Sequence, residues 1–206
     1  MASRSDVKSI LITADANAAD DDSVFANQRP NTDATINGAD ASGGVATFTG
    51  GQLLTVTTAG TGENGKTVTI TGTDVLGDTQ TETITLTGSA TTHDGTKFFK
   101  TVTAVSVSAQ PAANIKLGHL ATTVKAAIFG GSVRIKGVMI VNSATAGTID
   151  FVEGSTTGTT VMQLRTIGDD ETSRDVTIPE QGVVCRDGSF ISYTSATFAF
   201  MTVFFA

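Results

Sequence analysis

The sequence predicts an all-β protein made of two small antiparallel β-sandwich or jelly-roll-like modules behind an N-terminal arm. Many short runs alternate apolar residues with Thr or Ser at a period of two, which is typical of half-buried strands. Turn-forming Gly, Asp and Asn separate these runs, and no stretch resembles a long amphipathic helix. We expect the arm to span residues 1–31, a Thr-rich module residues 32–120, and a second module residues 121–206.

The predicted arm begins with a short strand over residues 7–13 and continues as a segment rich in Ala, Asp and Asn. We expect this segment to become ordered against a neighbouring subunit, since its composition favours neither a helix nor a sheet core. Its apolar residues Val7, Ile10 and Phe25 are therefore interface candidates.

Acidic residues in the arm invite a calcium interpretation, which the spacing does not support. Counted from Asp15, positions 6 and 12 of an EF-hand loop would be Asp20 and Ala26, where the loop needs Gly and Glu. We interpret Asp15, Asn17 and the Asp20–Asp22 triplet as a solvated acidic loop.

The clearest element of the first module is a hairpin within residues 66–88. The turn TDVLGDTQ separates two runs in which Thr alternates with apolar residues, so each strand has one hydroxyl-bearing face. The Thr faces comprise Thr67, Thr69, Thr71 and Thr73 in the first run and Thr81, Thr83, Thr85 and Thr87 in the second. The opposite faces carry Val68, Ile70, Ile84 and Leu86, together with Glu82.

Four more strands complete the first module, over residues 44–49, 53–59, 97–108 and 114–117. Along FFKTVTAVSVSA the apolar residues change parity, which predicts a β-bulge or a crossing between sheets near Ala104. Residues 119–131 form the expected boundary between the modules.

The second module resumes the strand pattern from residue 132 to the end of the sequence. Its first strand contains Val138–Val141 and its last is TFAFMTVFFA, and both are apolar on both faces. Such strands are covered on one side by a second sheet and on the other by another element or subunit. Phe198, Phe200, Phe204 and Phe205 are therefore further interface candidates.

No catalytic, cofactor-binding or metal-ligating set is predicted. His93, His119 and Cys185 are too few for a clustered zinc site, and Cys185 is expected to be a small buried hydrophobe. Carboxylates recur at Asp74 and Asp78 and within residues 168–171, where we expect them to bond the backbone of turns. Without Trp and with one Tyr, the chain lacks the stacking platforms of a strong sugar site.

Charge and hydropathy exclude two classes of partner. The net charge of −7 and the scattered Lys and Arg argue against binding to nucleic acid. No run approaches the roughly 18 apolar residues of a membrane span, and no secretory h-region is visible. We expect a soluble protein made in a reducing cytoplasm.

Two segments carry a resemblance to a known group of proteins. The pattern TVTITGTDVLGDTQTETITL, followed by TKFFKTVTAVSVSA and AANIKLG, resembles modules of tailed-bacteriophage virion proteins over residues 34–118. The ending, from SVRIKGVMIVNSATAGTIDFVEGS to SYTSATFAFMTVFFA, is similar to a β-module of small phage structural proteins.

The resemblance implies a non-enzymatic virion structural protein, best described as a head decoration or cement protein made in the host cytoplasm. Its implied partners are the major capsid protein or other virion proteins, and further copies of itself as a trimer or dimer. It implies no cofactor. One alternative is a head–tail connector, neck or tail ring component. Another is a carbohydrate- or receptor-binding module on the virion surface.

Overall fold

The fold of the described chain is all-β, which confirms the predicted class. A computed structural model describes residues 7–13, 18–121, 124–125, 131–154, 158–169, 172–179, 181–193 and 197–206, without the side chains of Thr49, Val124, Lys125 and Thr177. These residues form sixteen strands and no helix, and so include no helix able to cross a membrane. The chain divides into two compact units: a terminal unit, Met1–Ala16 with Thr123–Ala206, and a central unit, Asn17–Thr122.

The central unit is a single seven-stranded antiparallel sheet that curls nearly into a barrel. Its strand order is β2-β8-β4-β7-β5-β6, with β3 paired to β4. The strands are β2 (Asp20–Gln28), β3 (Ala41–Ser42), β4 (Val45–Thr58), β5 (Thr67–Thr73), β6 (Thr79–Thr85), β7 (Thr92–Val107) and β8 (Ile115–His119).

The long strand β7 organises this sheet. It pairs with β4 through its first part and with β5 through its second. The segment after β2 also reaches β7, where Ala34 N donates to Val105 O at 2.9 Å and Val107 N donates to Thr32 O at 2.7 Å. The enclosed core includes Phe25, Leu54, Ile70, Phe99 and Leu117, all fully buried.

The predicted irregularity near Ala104 is confirmed as a β-bulge. Thr71 pairs with Ala104 but the next residue, Gly72, pairs with Val102, so Thr103 is the extra residue on β7. A Cβ atom at Gly72 would lie 1.9 Å from the carbonyl oxygen of Thr101. Glycine therefore permits the close backbone approach that the bulge creates.

The terminal unit contains two antiparallel sheets. One has the order β1-β16-β10-β13 with β14 also paired to β10, and the other has the order β12-β11-β15-β9. Side chains from the two sheets meet at Tyr193 and Phe198, whose ring centroids lie 4.8 Å apart. The strands are β1 (Lys8–Thr13), β9 (Val124–Lys125), β10 (Val133–Asn142), β11 (Thr148–Glu153), β12 (Thr159–Arg165), β13 (Ser173–Thr177), β14 (Val183–Cys185), β15 (Ser189–Tyr193) and β16 (Phe198–Phe205).

The predicted N-terminal arm over residues 1–31 differs from the observed structure. Its first part forms β1, which pairs with β16, and its later part forms β2, which pairs with β8 of the central unit. The arm is therefore divided between the two units, and both of its described strands are paired within the chain. Both partner strands, β16 and β8, lie far from the arm in the sequence. Local sequence patterns therefore do not show that the arm pairs with them.

Candidate interaction surface

The outward face of the β1–β16–β10 sheet is the candidate interaction surface. Strand alternation puts every second residue on this face, and the register aligns three rows across the strands. We define the outer apolar face by its five apolar members: Leu11, Met139, Val141, Phe200 and Phe204. The rows are Ser9–Phe204–Gly137, Leu11–Thr202–Met139 and Thr13–Phe200–Val141.

Large hydrophobic side chains are exposed at this place. Leu11 is 63% exposed, Phe204 38% and Phe200 37%, and Val7, just before β1, is 43% exposed. Among the described residues, the one other large exposed hydrophobic side chain is that of Ile167. Single exposed apolar residues are ordinary, whereas several on adjacent strands mark a contact surface.

The register explains how the two Phe rings are held. Leu11 lies opposite Thr202 and diagonal to both rings, within the range at which cross-strand side chains interact. Phe204 lies opposite Gly137, where a Cβ atom would be 3.5 Å from the ring atom Cδ2 of Phe204. The ring therefore covers the bare backbone of the glycine, which fixes one side of the ring and leaves the other to solvent.

The opposite face of the same sheet is a core. Ile12, Met201 and Ile140 form one row across β1, β16 and β10, and each is at most 5% exposed. Val203 and Val138 occupy the next row and are equally buried. The apolar character of β16 on both faces thus has two different causes, a core on one side and an exposed surface on the other.

The predicted interface residues divide accordingly. Val7, Phe200 and Phe204 are exposed as an interface requires, and Ile10 is half-buried. Phe198 and Phe205 are buried within the terminal unit, and Phe25 is buried in the core of the central unit, so these three are corrected from surface to core residues. Their parity decides this: neighbouring Phe204 and Phe205 point to opposite sides of β16.

Leu11 was not among the predicted interface residues. The run Ile10-Leu11-Ile12 is apolar throughout, so alternation along β1 does not show which residue faces outward. The pairing of Leu11 with Thr202 places it on the outer face.

The Thr face of the β5–β6 hairpin is a second regular surface, on the central unit. Hydroxyl oxygens approach one another across the strands: 3.2 Å between Thr69 and Thr83, and 3.4 Å between Thr71 and Thr81. Thr73 extends the array to Thr101 of β7, at 2.7 Å. The hydroxyls bond among themselves, and no described residue of β5 or β6 is an exposed large hydrophobic side chain, unlike the β1–β16–β10 face.

Glu82, on the inward face of this hairpin, bonds the backbone of β7. Its carboxylate accepts hydrogen bonds from the backbone N of Thr96 at 2.6 Å, from the Thr96 hydroxyl at 2.9 Å and from the backbone N of Lys97. The residue is only 8% exposed. A buried carboxylate with this many donors holds the fold together.

Glu63 performs the same task at the loop before β5. It accepts from Lys66 Nζ at 2.8 Å and from the backbone N of Ala112 and Ala113 at 2.8 and 2.9 Å. Burial by itself would raise the pKa of this carboxyl, but these hydrogen bonds bring the pKa below its ordinary value of about 4.5.

The Asp20–Asp22 triplet at the start of β2 is neutralised in part by a lysine. Its carboxylate oxygens lie within 4.8 Å of one another. Lys116 Nζ lies 3.2 Å from Asp21 and 3.6 Å from Asp22. Hydrogen bonding to Asp21 raises the pKa of Lys116, so the ammonium stays charged beside the triplet. Asp15 and Asn17, the other members of the predicted acidic loop, lie outside the described residues.

The remaining polar residues take structural positions. Asp74 Oδ1 accepts from the backbone N of Leu76 at 2.8 Å and of Asp78 at 2.9 Å, which confirms the predicted turn chemistry for Asp74; Asp78 takes part through its backbone N. In the other predicted group, Asp170 and Glu171 lie outside the described residues.

The Cys and His side chains are enclosed. Cys185 is buried in β14, as predicted, and burial raises the pKa of its thiol. His93 and His119 are buried in the central unit. His93 belongs to β7 and His119 to β8.

Comparison of the chain with protein-family models, with curated proteins and with solved structures finds no match.

Proposed function

We propose that this chain is a non-enzymatic structural protein of a tailed-bacteriophage virion, and that it decorates and stabilises the assembled head. The observation that carries the proposal is the outer apolar face, in which Leu11, Phe200 and Phe204 remain exposed on adjacent strands. The resemblance of the sequence to phage virion modules is the reason that we propose a phage head as the particle. The partner at this face is the major capsid protein or another virion protein.

The size of the outer apolar face suits a repeated contact. The exposed parts of Phe200 and Phe204 together amount to about 150 Å², taking roughly 200 Å² for a whole aromatic side chain. Covering that area contributes about 4 kcal/mol at 25 cal/mol per Å². This is at the lower end of the free energy that association costs, so one copy on one site binds weakly. Many copies on a symmetric lattice make such a contact effective, because every bound copy favours the assembled state.

The test uses particles of the phage that encodes the chain, prepared with and without it. We expect hundreds of copies per particle by quantitative mass spectrometry, and a lower temperature of head disruption in particles that lack the chain. Added wild-type protein should bind these particles and restore the temperature. The double variant Phe200→Ser, Phe204→Ser should bind at least tenfold more weakly.

The matched control is Thr69→Ser with Thr83→Ser on the hairpin of the central unit, which should bind like the wild type. Absence of the chain from purified particles overturns the proposal. Six or twelve copies per particle would instead identify a neck or tail ring component. Particles that lose adsorption to the host but keep head stability would identify a receptor- or carbohydrate-binding module.

A further inference from the structure

Among the strands that the structure describes, β1 lies at an edge of the terminal unit's five-stranded sheet. It pairs with β16 over all six of its residues in an unbroken register. No described residue pairs with its other side. The N–H and C=O groups along such an edge can pair with a further strand.

The other edge strands carry features that oppose strand addition. In β6 the charged Glu82 points inward, and Lys97 Nζ donates to the carbonyl oxygen of Thr81 at 2.7 Å. Register shifts interrupt the pairing of β12 and of β2, and β13 contains adjacent charges at Arg174 and Asp175. The remaining edge strands are short: β3 and β9 have two residues and β14 has three. Inward charge, irregular register, charged side chains and shortness are the usual protections of sheet edges.

Strand β1 carries one of these features, the charged Lys8 at its first residue, and none of them from Ser9 onward. From Ser9 to Thr13 it carries no charge and no Pro, its register is regular, and three consecutive residues are apolar. We propose that this edge pairs antiparallel with the same edge of a second copy of the chain, which joins two five-stranded sheets into one. The pairing is isologous, with a twofold axis perpendicular to the sheet.

The alternation of faces restricts the register of this pair. Residues directly opposite in an antiparallel pair share a face, so outer residues must meet outer residues and inner residues must meet inner ones. The twofold axis must therefore lie midway between the two copies of one residue, which then face each other. A register that places the axis between two successive residues is not allowed. Lys8 lies on the inner side of β1, and an axis at Ile10 would place it directly opposite the apolar Ile12 of the second copy, an unfavourable pair.

An axis at Leu11 satisfies the remaining requirements. It pairs Leu11 with Leu11 of the second copy on the outer face, and Ile10 with Ile12 on the inner face, while Lys8 falls outside the pairs between Ser9 and Thr13. Leu11, 63% exposed, and Ile10, half-buried, then gain apolar neighbours. An axis at Ile12 would pair only Leu11 to Thr13 among the described residues.

The pairing also bears on the outer apolar face, and this consequence rests on the proposed function. Two joined sheets present one continuous face with four Phe side chains and two Leu side chains between them. A dimer that binds the particle therefore contacts it over twice the area that a single copy does. The pairing itself depends on β1 alone and can be tested without any particle.

The first experiment measures the mass of the purified full chain by sedimentation velocity at about 1 to 100 μM, so that a dissociation constant in the micromolar range is detected. We expect a dimer. Leu11→Lys and Leu11→Glu should each raise the dissociation constant at least tenfold, because like charges meet at the axis. An equimolar mixture of the two variants should form a heterodimer. Phe204→Lys, on the same face but away from the axis, should remain a dimer.

The second experiment tests the register by oxidative cross-linking in a Cys185→Ala background. Leu11→Cys should give a disulfide-linked dimer, whereas Thr13→Cys should not, because Thr13 lies opposite Ser9 of the second copy. A monomeric wild type at 100 μM, a dimer that persists in Leu11→Lys, or absence of the Leu11→Cys cross-link overturns the pairing. Each of these results leaves the binding of the chain to particles as a separate measurement.

Discussion

The β5–β6 hairpin of the central unit and the β1–β16 pair of the terminal unit are built on the same alternation with opposite surface chemistry. Both have an apolar inward face, with Val68, Ile70 and Ile84 in the hairpin and Met201 and Val203 in the pair. Outward, the hairpin carries Thr hydroxyls that bond across the strands, whereas the pair carries Leu11, Phe200 and Phe204. The inward face maintains the fold in both, so the outward face is where the two regions differ in what they can contact.

The sheet edges of the two regions differ as their outward faces do: the hairpin edge is polar, and the edge of the β1–β16 pair is mostly apolar. At the hairpin, the Glu82 carboxylate accepts a hydrogen bond from the backbone N of Thr96, and Lys97 Nζ donates to the backbone carbonyl oxygen of Thr81 in β6. The edge beside β6 is therefore polar and charged. At the pair, β1 carries a charge only at Lys8, and from Ser9 to Thr13 it is uncharged with Leu11 exposed. The comparison teaches that a charged network covers the β6 edge, whereas the β1 edge has no second partner strand among the described residues and adjoins the exposed apolar face.

The strongest test of the comparison separates the two faces of β16. Phe205→Ala should lower the free energy of unfolding by about 3–5 kcal/mol, since it leaves a cavity in the core of the terminal unit. Phe204→Ala should lower it by only roughly 1–2 kcal/mol, because that ring is 38% exposed and loses only part of a buried aromatic contact. Urea denaturation of both variants measures the difference. Equal losses would contradict the assignment of the two faces.

The second test removes the buried carboxylate from the hairpin. Glu82→Leu keeps an inward side chain of similar size but leaves the backbone N atoms of Thr96 and Lys97 without their acceptor. We expect a loss of about 2–3 kcal/mol in the free energy of unfolding. The control is Thr83→Val on the opposite face, with an expected change within about 0.5 kcal/mol. If Glu82→Leu proves as stable as the wild type in urea, the carboxylate does not hold β7.

The third test uses pH to measure the other buried carboxylate. The pKa of Glu63 is lower in the folded chain than its ordinary value of about 4.5, so the stability it contributes is fully present above that value. The contribution is lost as the pH falls through the folded pKa. Glu63→Gln should therefore be less stable than the wild type by roughly 1–2 kcal/mol at pH 7.

The difference between Glu63→Gln and the wild type should shrink below about pH 4.5. Urea denaturation between pH 7 and pH 3 follows it, with Asp78→Asn as the exposed carboxylate control. A difference that is constant across this range would mean that the charge of Glu63 contributes nothing.

Much of the central unit could be predicted from the sequence because its signals are local. The hairpin expected within residues 66–88 is observed as β5 and β6, and the change of parity near Ala104 is observed as a bulge at Thr103. The turn role of Asp74 follows from residue type and spacing alone. In each case the residues that decide the structure lie within a few positions of one another.

The interaction surface could be predicted only in part. The apolar last strand and the residues Val7, Phe200 and Phe204 were found from hydropathy, but Phe25, Phe198 and Phe205 were assigned to the surface and are buried. Hydropathy cannot distinguish a core Phe from an exposed Phe on a strand that is apolar on both faces. The acceptor role of Glu82 likewise depends on where β7 passes.

The sequence by itself determined the all-β class, the alternation of faces and the positions of most turns, because these depend on the period of two and on turn residues. The tertiary structure decided that β1 pairs with β16, that Leu11 lies outward between two Phe rings, and that β1 is an edge strand among the described strands. These features require a contact between the two ends of the chain. Such a contact is formed by long-range pairing, which no local pattern encodes.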